Sequence, residues 1–219
     1  MIIKSVRVSN FRSLLEETLN CESLTALVGP NGAGKSSFLR ALELFYAPTP
    51  AVTVDDFYNH DTSKEIEVAI TFTDLVPKEI ERFGSRVAGS DLLVMRIFTS
   101  GGGKSSGKYY GFRRQNPGFS NVRATTGREL LNLYRELREK DEYDLPAARS
   151  QPDAEAAMVQ WENVNADKLE LGRDDGQFFG FTNVARGYLG DLTRFLFIPA
   201  VRDAAEDVNE GKSSSMSRA

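Results

Sequence analysis

One stretch of the sequence, GPNGAGKSS from Gly29 to Ser37, has the residue types and the spacing of a phosphate-binding loop. A glycine is followed by four residues and then by Gly34, Lys35 and Ser36. In such loops the backbone N–H groups point at phosphate oxygens, the lysine adds positive charge, and the hydroxyl binds Mg²⁺. We therefore predict a Mg²⁺ contact at Ser36. The nucleotide contacts predicted in the loop are Asn31, Gly32, Ala33, Gly34, Lys35, Ser36 and Ser37.

The tripeptide Gly-Lys-Ser occurs twice more, around Lys104 and around Lys212. Where the pattern requires a glycine, six residues before the lysine, these two places have Phe98 and Glu206. No helix pattern follows the first of them, and a carboxylate would repel phosphate in the second. Only the loop that begins at Gly29 therefore fits phosphate binding.

A phosphate loop must be positioned by a strand before it and a helix after it. The apolar run Leu24–Val28 predicts a short buried strand. A helix is predicted from Lys35 onward and is stopped by Pro48 and Pro50. One apolar stripe at helical spacing consists of Phe38, Ala41, Leu42 and Phe45.

The remaining pattern predicts a mixed α/β fold with an antiparallel portion. Ile2, Val6 and Val8 share one face of a predicted first strand, and 66–72 alternates as the clearest strand. Two further strands flank the glycine-rich stretch around Lys104, and 194–200 reads as a final buried strand. Helices are predicted from Pro77 to Gly84, from Thr126 to about Lys140, and over Ala154–Lys168. At the start of the second of these, Thr126 and Glu129 have the spacing of a capping box.

The segments IIKSVRVSNFRSL and LTALVGPNGAGKSSFLRALELF together resemble the N-terminal lobe of the ABC-type ATPases of the SMC/RecF/OLD group. The resemblance implies a P-loop NTPase of ABC-ATPase type, lobe I only, in which a mixed sheet has an antiparallel N-terminal portion. The middle of the chain and the stretch FLFIPAVRDAAED look most like OLD-type ATPases, which carry a nuclease domain of the TOPRIM kind further along.

The same resemblance implies a further nucleotide contact, the cofactors and the binding partners of the protein. Arg12, in the element NFRS, would reach the nucleotide phosphates from a preceding hairpin, although a surface arginine at a turn is the plain alternative. The implied cofactors are ATP and Mg²⁺. The implied partners are a second copy of the ATPase head, joined in an ATP-dependent dimer, and DNA bound through the full-length protein.

Several parts of a complete ABC ATPase do not occur in these 219 residues. The sequence has no L-S-G-G motif and no apolar strand that ends in Asp-Glu, and no glutamine follows the stretch RFLFIPA, where Asp203 is a possible substitute. We therefore expect half of a composite ATPase that binds ATP and hydrolyses little of it alone. The expected division is an ATP-binding lobe over 1–205 and a polar tail over 206–219.

Composition narrows the function classes. The net charge of −4 and the pI of about 5.3 argue against a surface coated with nucleic-acid-binding charge. A single cysteine, Cys21, and the lack of a signal peptide or a long apolar run indicate a cytoplasmic protein without a membrane segment. A self-contained nucleotide or small-molecule kinase, or a nucleotide-gated binding module without hydrolysis, remain alternative functions.

Two weaker patterns have plain explanations. Tyr110 and Phe112, beside Arg113 and Arg114, could form a nucleic-acid surface, but one buried sheet face with a solvated edge is the favoured interpretation. The polar loop around His60 fits no firm metal-binding pattern, and Trp161 is expected to pack in a core. The acids of that loop are Asp55, Asp56 and Asp61.

Overall fold

A seven-stranded sheet is the frame of the protein. The computed structural model describes residues 1–102, 107–174 and 189–198. The strands are β1 (Ile2–Phe11), β2 (Leu14–Asn20), β3 (Ile66–Thr73), β4 (Val87–Ala88), β5 (Asp91–Phe98), β6 (Lys108–Gln115) and β7 (Glu170–Asp174). The helices are α1 (Lys35–Tyr46), α2 (Pro77–Phe83), α3 (Ser120–Arg123), α4 (Gly127–Arg138) and α5 (Gln151–Val164).

The strand order is β2-β1-β3-β5-β6-β7, with the short β4 paired to β5. Every described strand pair is antiparallel, including the hairpin that β5 and β6 form. The predicted antiparallel portion is therefore confirmed. The β1–β2 connection is tight, since Phe11 pairs with Leu14 across it. This places Arg12 and Ser13 at the tip of the first hairpin.

A bulge in β1 corrects the predicted first strand. The register to β3 shifts between Ile3 and Ser5, around Lys4. Since a one-residue shift moves side chains to the opposite face, Ile3 packs against the core while Ile2 is 45% exposed. The expectation that Ile2 shares a face with Val6 was wrong, because the bulge around Lys4 lies between the two residues.

The main core lies between one face of the sheet and α1. The predicted stripe of α1 points inward, with Ala41 and Phe45 fully buried, and the helix ends before Pro48 as expected. Strand β3 was predicted correctly: its core-facing residues are Ile66, Val68, Ile70 and Phe72. Helix α2 also begins at Pro77 as predicted, and its Phe83 joins this core.

Helices α3, α4 and α5 form a second cluster, in which Phe119, Tyr143 and Trp161 pack edge to face or tilted. The packing role predicted for Trp161 is thus observed. Helix α4 ends at Arg138, and α5 starts earlier than predicted because Ser150 caps it with a capping box. No helix in the described ranges is long and apolar enough to cross a membrane.

The capping box predicted for α4 is wrong. The Thr126 side chain makes no capping hydrogen bond. The first helical position is Gly127, whose φ of 65° is left-handed. The backbone therefore enters this helix through a glycine turn, a geometry that the Thr126–Glu129 spacing alone did not reveal.

The buried strand predicted over 24–28 does not form, and the described part of the one predicted over 194–200 is not a strand either. The segments 24–28 and 193–198 have no regular secondary structure. Leu24 is 87% exposed, Val28 93%, and Leu196 77%. A buried strand requires hydrogen-bonded neighbours, and no described strand pairs with either segment. The part of the sheet that would make it mixed is therefore not built by the described residues.

The segment 189–198 nevertheless packs against the main core at its start. Leu189 is fully buried, and the Tyr46 hydroxyl lies 2.9 Å from the Thr193 hydroxyl. The ring of Phe195 stacks on that of Tyr46 at 5.6 Å. The three apolar residues after it, from Leu196 to Ile198, are exposed. The motifs around Lys104 and Lys212, Asp203 and the tail 206–219 lie outside the described residues.

Candidate nucleotide-binding site

The candidate phosphate loop ends where α1 begins, and a glycine makes the junction. Gly34 is the residue before the helix and has a φ of 83°, while Gly32 has 86°. Both values lie in the left-handed region that favours glycine. A Cβ added to Gly34 would lie 2.7 Å from Leu14 Cδ2, so this position also requires the missing side chain. The loop is therefore folded closely against the first hairpin.

The start of α1 offers unpaired backbone donors. The first backbone hydrogen bond of the helix runs from Phe38 N–H to the Gly34 carbonyl at 3.1 Å. The N–H groups of Lys35, Ser36 and Ser37 therefore have no acceptor within the helix. No side chain caps this end, and the first turn contains no acidic residue. This is the arrangement in which helix N-termini accept phosphate.

The Lys35 side chain turns back across the loop. Its Nζ donates to the carbonyl oxygens of Gly29 and Pro30, each at 2.7 Å. The loop itself is exposed, with only Gly34 buried among 28–34. The ammonium group is thus held by carbonyl oxygens at the loop's own start. A lysine in this place can exchange these neutral carbonyl oxygens for the anionic oxygens of a phosphate, which bind an ammonium group more strongly.

The tip of the β1–β2 hairpin rests on the phosphate loop. The hydroxyl groups of Ser13 and Ser37 are 2.9 Å apart, and Leu14 packs against Gly34. Ser37 is only partly exposed as a result, whereas Ser36 is exposed and its hydroxyl bonds to no described residue. An exposed hydroxyl beside free backbone donors suits Mg²⁺ held next to phosphate. The predicted loop residues and the NFRS element are therefore brought together.

Arg12 is held at this tip by an acid from a distant part of the chain. Its Nε and Nη2 both lie 2.9 Å from Asp56 Oδ1. The side chain of Arg12 is 41% exposed, and that of Asp56 is 15% exposed. Partial burial raises the pKa of the Asp56 carboxyl, but hydrogen bonds from Thr53 and Arg12 outweigh it and leave the pKa below its usual value.

Sequence reasoning missed this ion pair because the two residues are 44 positions apart. One local signal was available: Thr53-x-x-Asp56 has the spacing of a cap, and Thr53 does form a capping box with Asp56. The acids nearby do not assemble a metal site, since no group of three possible ligands occurs among the described residues. His60 is exposed at the surface, as expected, and its Nδ1 atom lies 3.5 Å from Asp55 Oδ1.

A buried arginine anchors the other end of α1. Arg96 of β5 is 1% exposed, and its Nη1 donates to the carbonyls of Leu44, Phe45 and Ala47 at 3.0, 2.8 and 2.8 Å. Its Nε donates to the Gly107 carbonyl at 2.8 Å. Burial lowers the pKa of the Arg96 guanidinium, yet the reference value is high enough for it to remain charged. The helix that carries the phosphate loop is thus fixed at its carboxyl end by a cation.

The aromatic and basic residues of β6 form packing contacts, as the favoured interpretation predicted. Tyr110 and Phe112 lie beside the small apolar cluster on the second sheet face. Arg113 pairs with Glu155 at 3.2 Å, and Arg114 donates to the Leu169 carbonyl at 2.9 Å. These arginines are engaged within the fold.

The antiparallel sheet, the phosphate loop and helix α1 together have the arrangement of a P-loop ATPase lobe. The comparisons with known proteins agree: the model of the AAA ATPase domain family matches residues 1–218. The chain belongs to this family.

Two curated relatives confirm the resemblance to the OLD group. An OLD nuclease of Thermus scotoductus is 41% identical over 76 residues, which are 32% of this chain and 14% of that protein. Endonuclease GajA of Bacillus cereus is 30% identical over 74 residues, 32% of this chain and 13% of that protein. The matched parts thus span only about a seventh of each relative.

A solved SMC ATPase structure, described in terms of ATP-driven dimerisation and DNA-stimulated activation, also resembles this chain. It is 19% identical, with a TM-score of 0.39, over 78% of this chain and 93% of that one.

Proposed function

We propose that the loop from Gly29 to Ser37 binds the triphosphate of ATP together with Mg²⁺. The observation that carries this proposal is the junction at Gly34, where an exposed loop delivers free N–H groups to the start of α1. Lys35 would neutralise the outer phosphates, and the Ser36 hydroxyl would bind the metal. Membership in an ATPase domain family supports the identity of the nucleotide.

The remaining part of the site would come from outside these 219 residues. The sequence offers no apolar strand that ends in two acids, which an ABC-type ATPase uses to bind Mg²⁺ and activate water. The apolar segments at Leu24–Val28 and Leu196–Ile198 also expose side chains that a further part of the protein would cover. We propose that they pair with strands contributed by the rest of the full-length protein.

In the full-length protein, ATP would bring two heads together, and hydrolysis would release them. The nuclease names of the two relatives support an action on nucleic acid. The proposed action is on DNA, in repair, maintenance or phage defence, and its proposed location is the cytoplasm. ATP would then act as a switch for a DNA-directed activity. A kinase that uses this loop alone is the second candidate, since many functions share the loop.

Comparing the 219-residue chain with the full-length protein tests this function. We expect ATP turnover by the full-length protein and turnover at least about tenfold lower by the chain alone, because positioned acid–base groups contribute 10²–10⁴-fold to such reactions. The measurement is phosphate release, with and without DNA. Light scattering with and without ATP reports the dimer.

Three results would contradict parts of the proposal. Equal turnover by the chain and the full-length protein would place the catalytic groups within these residues. ATP-dependent phosphorylation of a small acceptor by the chain alone would favour the kinase. A full-length protein that stays monomeric with ATP would remove the dimer from the mechanism while leaving the nucleotide site in place.

A further inference from the structure

The segment between α1 and β3 folds over the tip of the first hairpin and is fixed there at Asp56 and Phe57. The Arg12 N–H donates to the Asp56 carbonyl at 2.8 Å. Phe57 pairs with Phe11 in an isolated antiparallel bridge, and both rings are at most 2% exposed. The position of the Asp56 carboxylate is therefore set by backbone bonds and by the core, and not by the ion pair alone.

Both oxygens of that carboxylate are occupied. Oδ2 accepts from the Thr53 N–H at 3.0 Å and from the Thr53 hydroxyl at 3.2 Å. Oδ1 accepts from Nε and Nη2 of Arg12. Thr53 thus orients the carboxylate, and the carboxylate orients the guanidinium, in a short chain of contacts that ends at the hairpin tip.

Asp56 contacts only one edge of the guanidinium. An arginine presents five N–H donors in a planar fork, and a carboxylate on the Nε–Nη2 edge leaves the Nη1 end for another anion. No described residue bonds to Nη1 of Arg12. The neighbouring Ser13 touches Ser37 in the first turn of α1, so the Arg12 end of the hairpin adjoins the proposed phosphate site.

We propose that Asp56 is a positioning residue that holds Arg12 in place for a phosphate of the bound nucleotide. A long, half-exposed arginine would otherwise sample many rotamers, and fixing it in advance removes that entropic cost from binding. Thr53 supports this role through Asp56. The inference rests on the proposed nucleotide site and adds the origin of Arg12's orientation.

The sign of the effect separates positioning from simple electrostatics. An acid near a phosphate site should weaken anion binding, so its removal should strengthen it. Positioning predicts the opposite: Asp56→Ala should weaken ATP binding, by about threefold to tenfold for two coupled side chains in direct contact. Asp56→Asn keeps the shape of the side chain and should weaken binding in the same direction by a smaller factor.

A double-mutant cycle in the full-length protein tests the inference, with a fluorescent ATP analogue as the ligand. We expect Arg12→Ala to weaken binding about tenfold or more, as for a charge-assisted contact. In the Arg12→Ala background, Asp56→Ala should change affinity less than about twofold, since the group it positions is gone. Asp55→Ala is the matched control: Asp55 is the exposed neighbouring acid, 89% exposed, and its loss should leave affinity unchanged.

Three outcomes are decisive against the inference. Tighter binding by Asp56→Ala would mean that Asp56 competes with phosphate for Arg12. An equal loss in both backgrounds would mean that Asp56 only supports the fold, which melting curves of the same variants would show. Unchanged affinity in Asp56→Ala, with binding still lost in Lys35→Ala, would also overturn the role of Asp56 while leaving the nucleotide site in place. A Lys35→Ala variant that binds ATP normally would instead contradict the proposed nucleotide site itself.

Discussion

Replacing Lys35 with alanine is expected to lower the affinity for ATP by about 100-fold or more, because two charge-assisted contacts to phosphate are lost. Each such contact is worth about 1.5–3 kcal/mol, and about 1.4 kcal/mol corresponds to a factor of ten in affinity. The ammonium group is the only side-chain cation that the loop itself contains. Free backbone donors at the start of α1 would remain, so weak binding of phosphate should persist. Equilibrium titration with a fluorescent ATP analogue in the presence of Mg²⁺ measures the loss.

The chain supplies matched controls for this experiment. Lys104 and Lys212 also stand between glycine and serine, without the leading glycine of the pattern. Their alanine variants should bind ATP within about twofold of the parent protein, since neither lysine stands in a complete phosphate-loop pattern. Retained affinity in Lys35→Ala, or a comparable loss in Lys104→Ala, would refute the assignment of the phosphate site to the first loop.

The parts of the fold that could be predicted are those whose signal is local. The stripe on α1 and the alternation in β3 repeat within one element, and each repeat fixes which face enters the core. The phosphate loop is equally local, because its glycines, lysine and serine follow one another along the chain. These predictions required no knowledge of which other element packs against the predicted one.

Apart from the capping box of α4, the wrong predictions depended on partners distant in sequence. The described residues 24–28 and 194–198 have the composition of buried strands, but a strand forms only when a neighbour accepts its hydrogen bonds. The bulge around Lys4 is also a property of the β1–β3 pair and not of β1 alone. The pairing of Arg12 with Asp56 spans two loops that local patterns do not connect.

Arg96 was the largest omission, and its sequence context contained a signal. It stands in β5 among Val94, Met95, Ile97 and Phe98, so a buried strand there must bury a guanidinium. Such a group needs acceptors on every side. The structure supplies carbonyl oxygens in place of a carboxylate, three of them from the end of α1. The contact between β5 and the end of this helix is therefore polar.

Stability measurements should show how much this anchor contributes. We expect Arg96→Met to lower the free energy of unfolding by roughly 3 kcal/mol or more, because each buried acceptor left without a donor costs about 1–3 kcal/mol. For a domain of this size that corresponds to a fall in melting temperature of roughly 6–12 °C. Thermal unfolding followed by circular dichroism measures the change.

Two comparison variants separate the anchoring bonds from other effects. Arg128→Met removes an exposed arginine at the start of α4 and should change the melting temperature by less than about 2 °C, as surface substitutions usually do. Tyr109→Phe removes a hydroxyl that also donates to the Phe45 carbonyl, which Arg96 would still satisfy, so we expect less than half the loss. An Arg96→Met protein as stable as the Arg128→Met control would show that the α1 carbonyls do not depend on the guanidinium.

Because α1 begins at the phosphate loop, we also expect Arg96→Met to weaken ATP binding, an effect that the Arg128→Met control should lack.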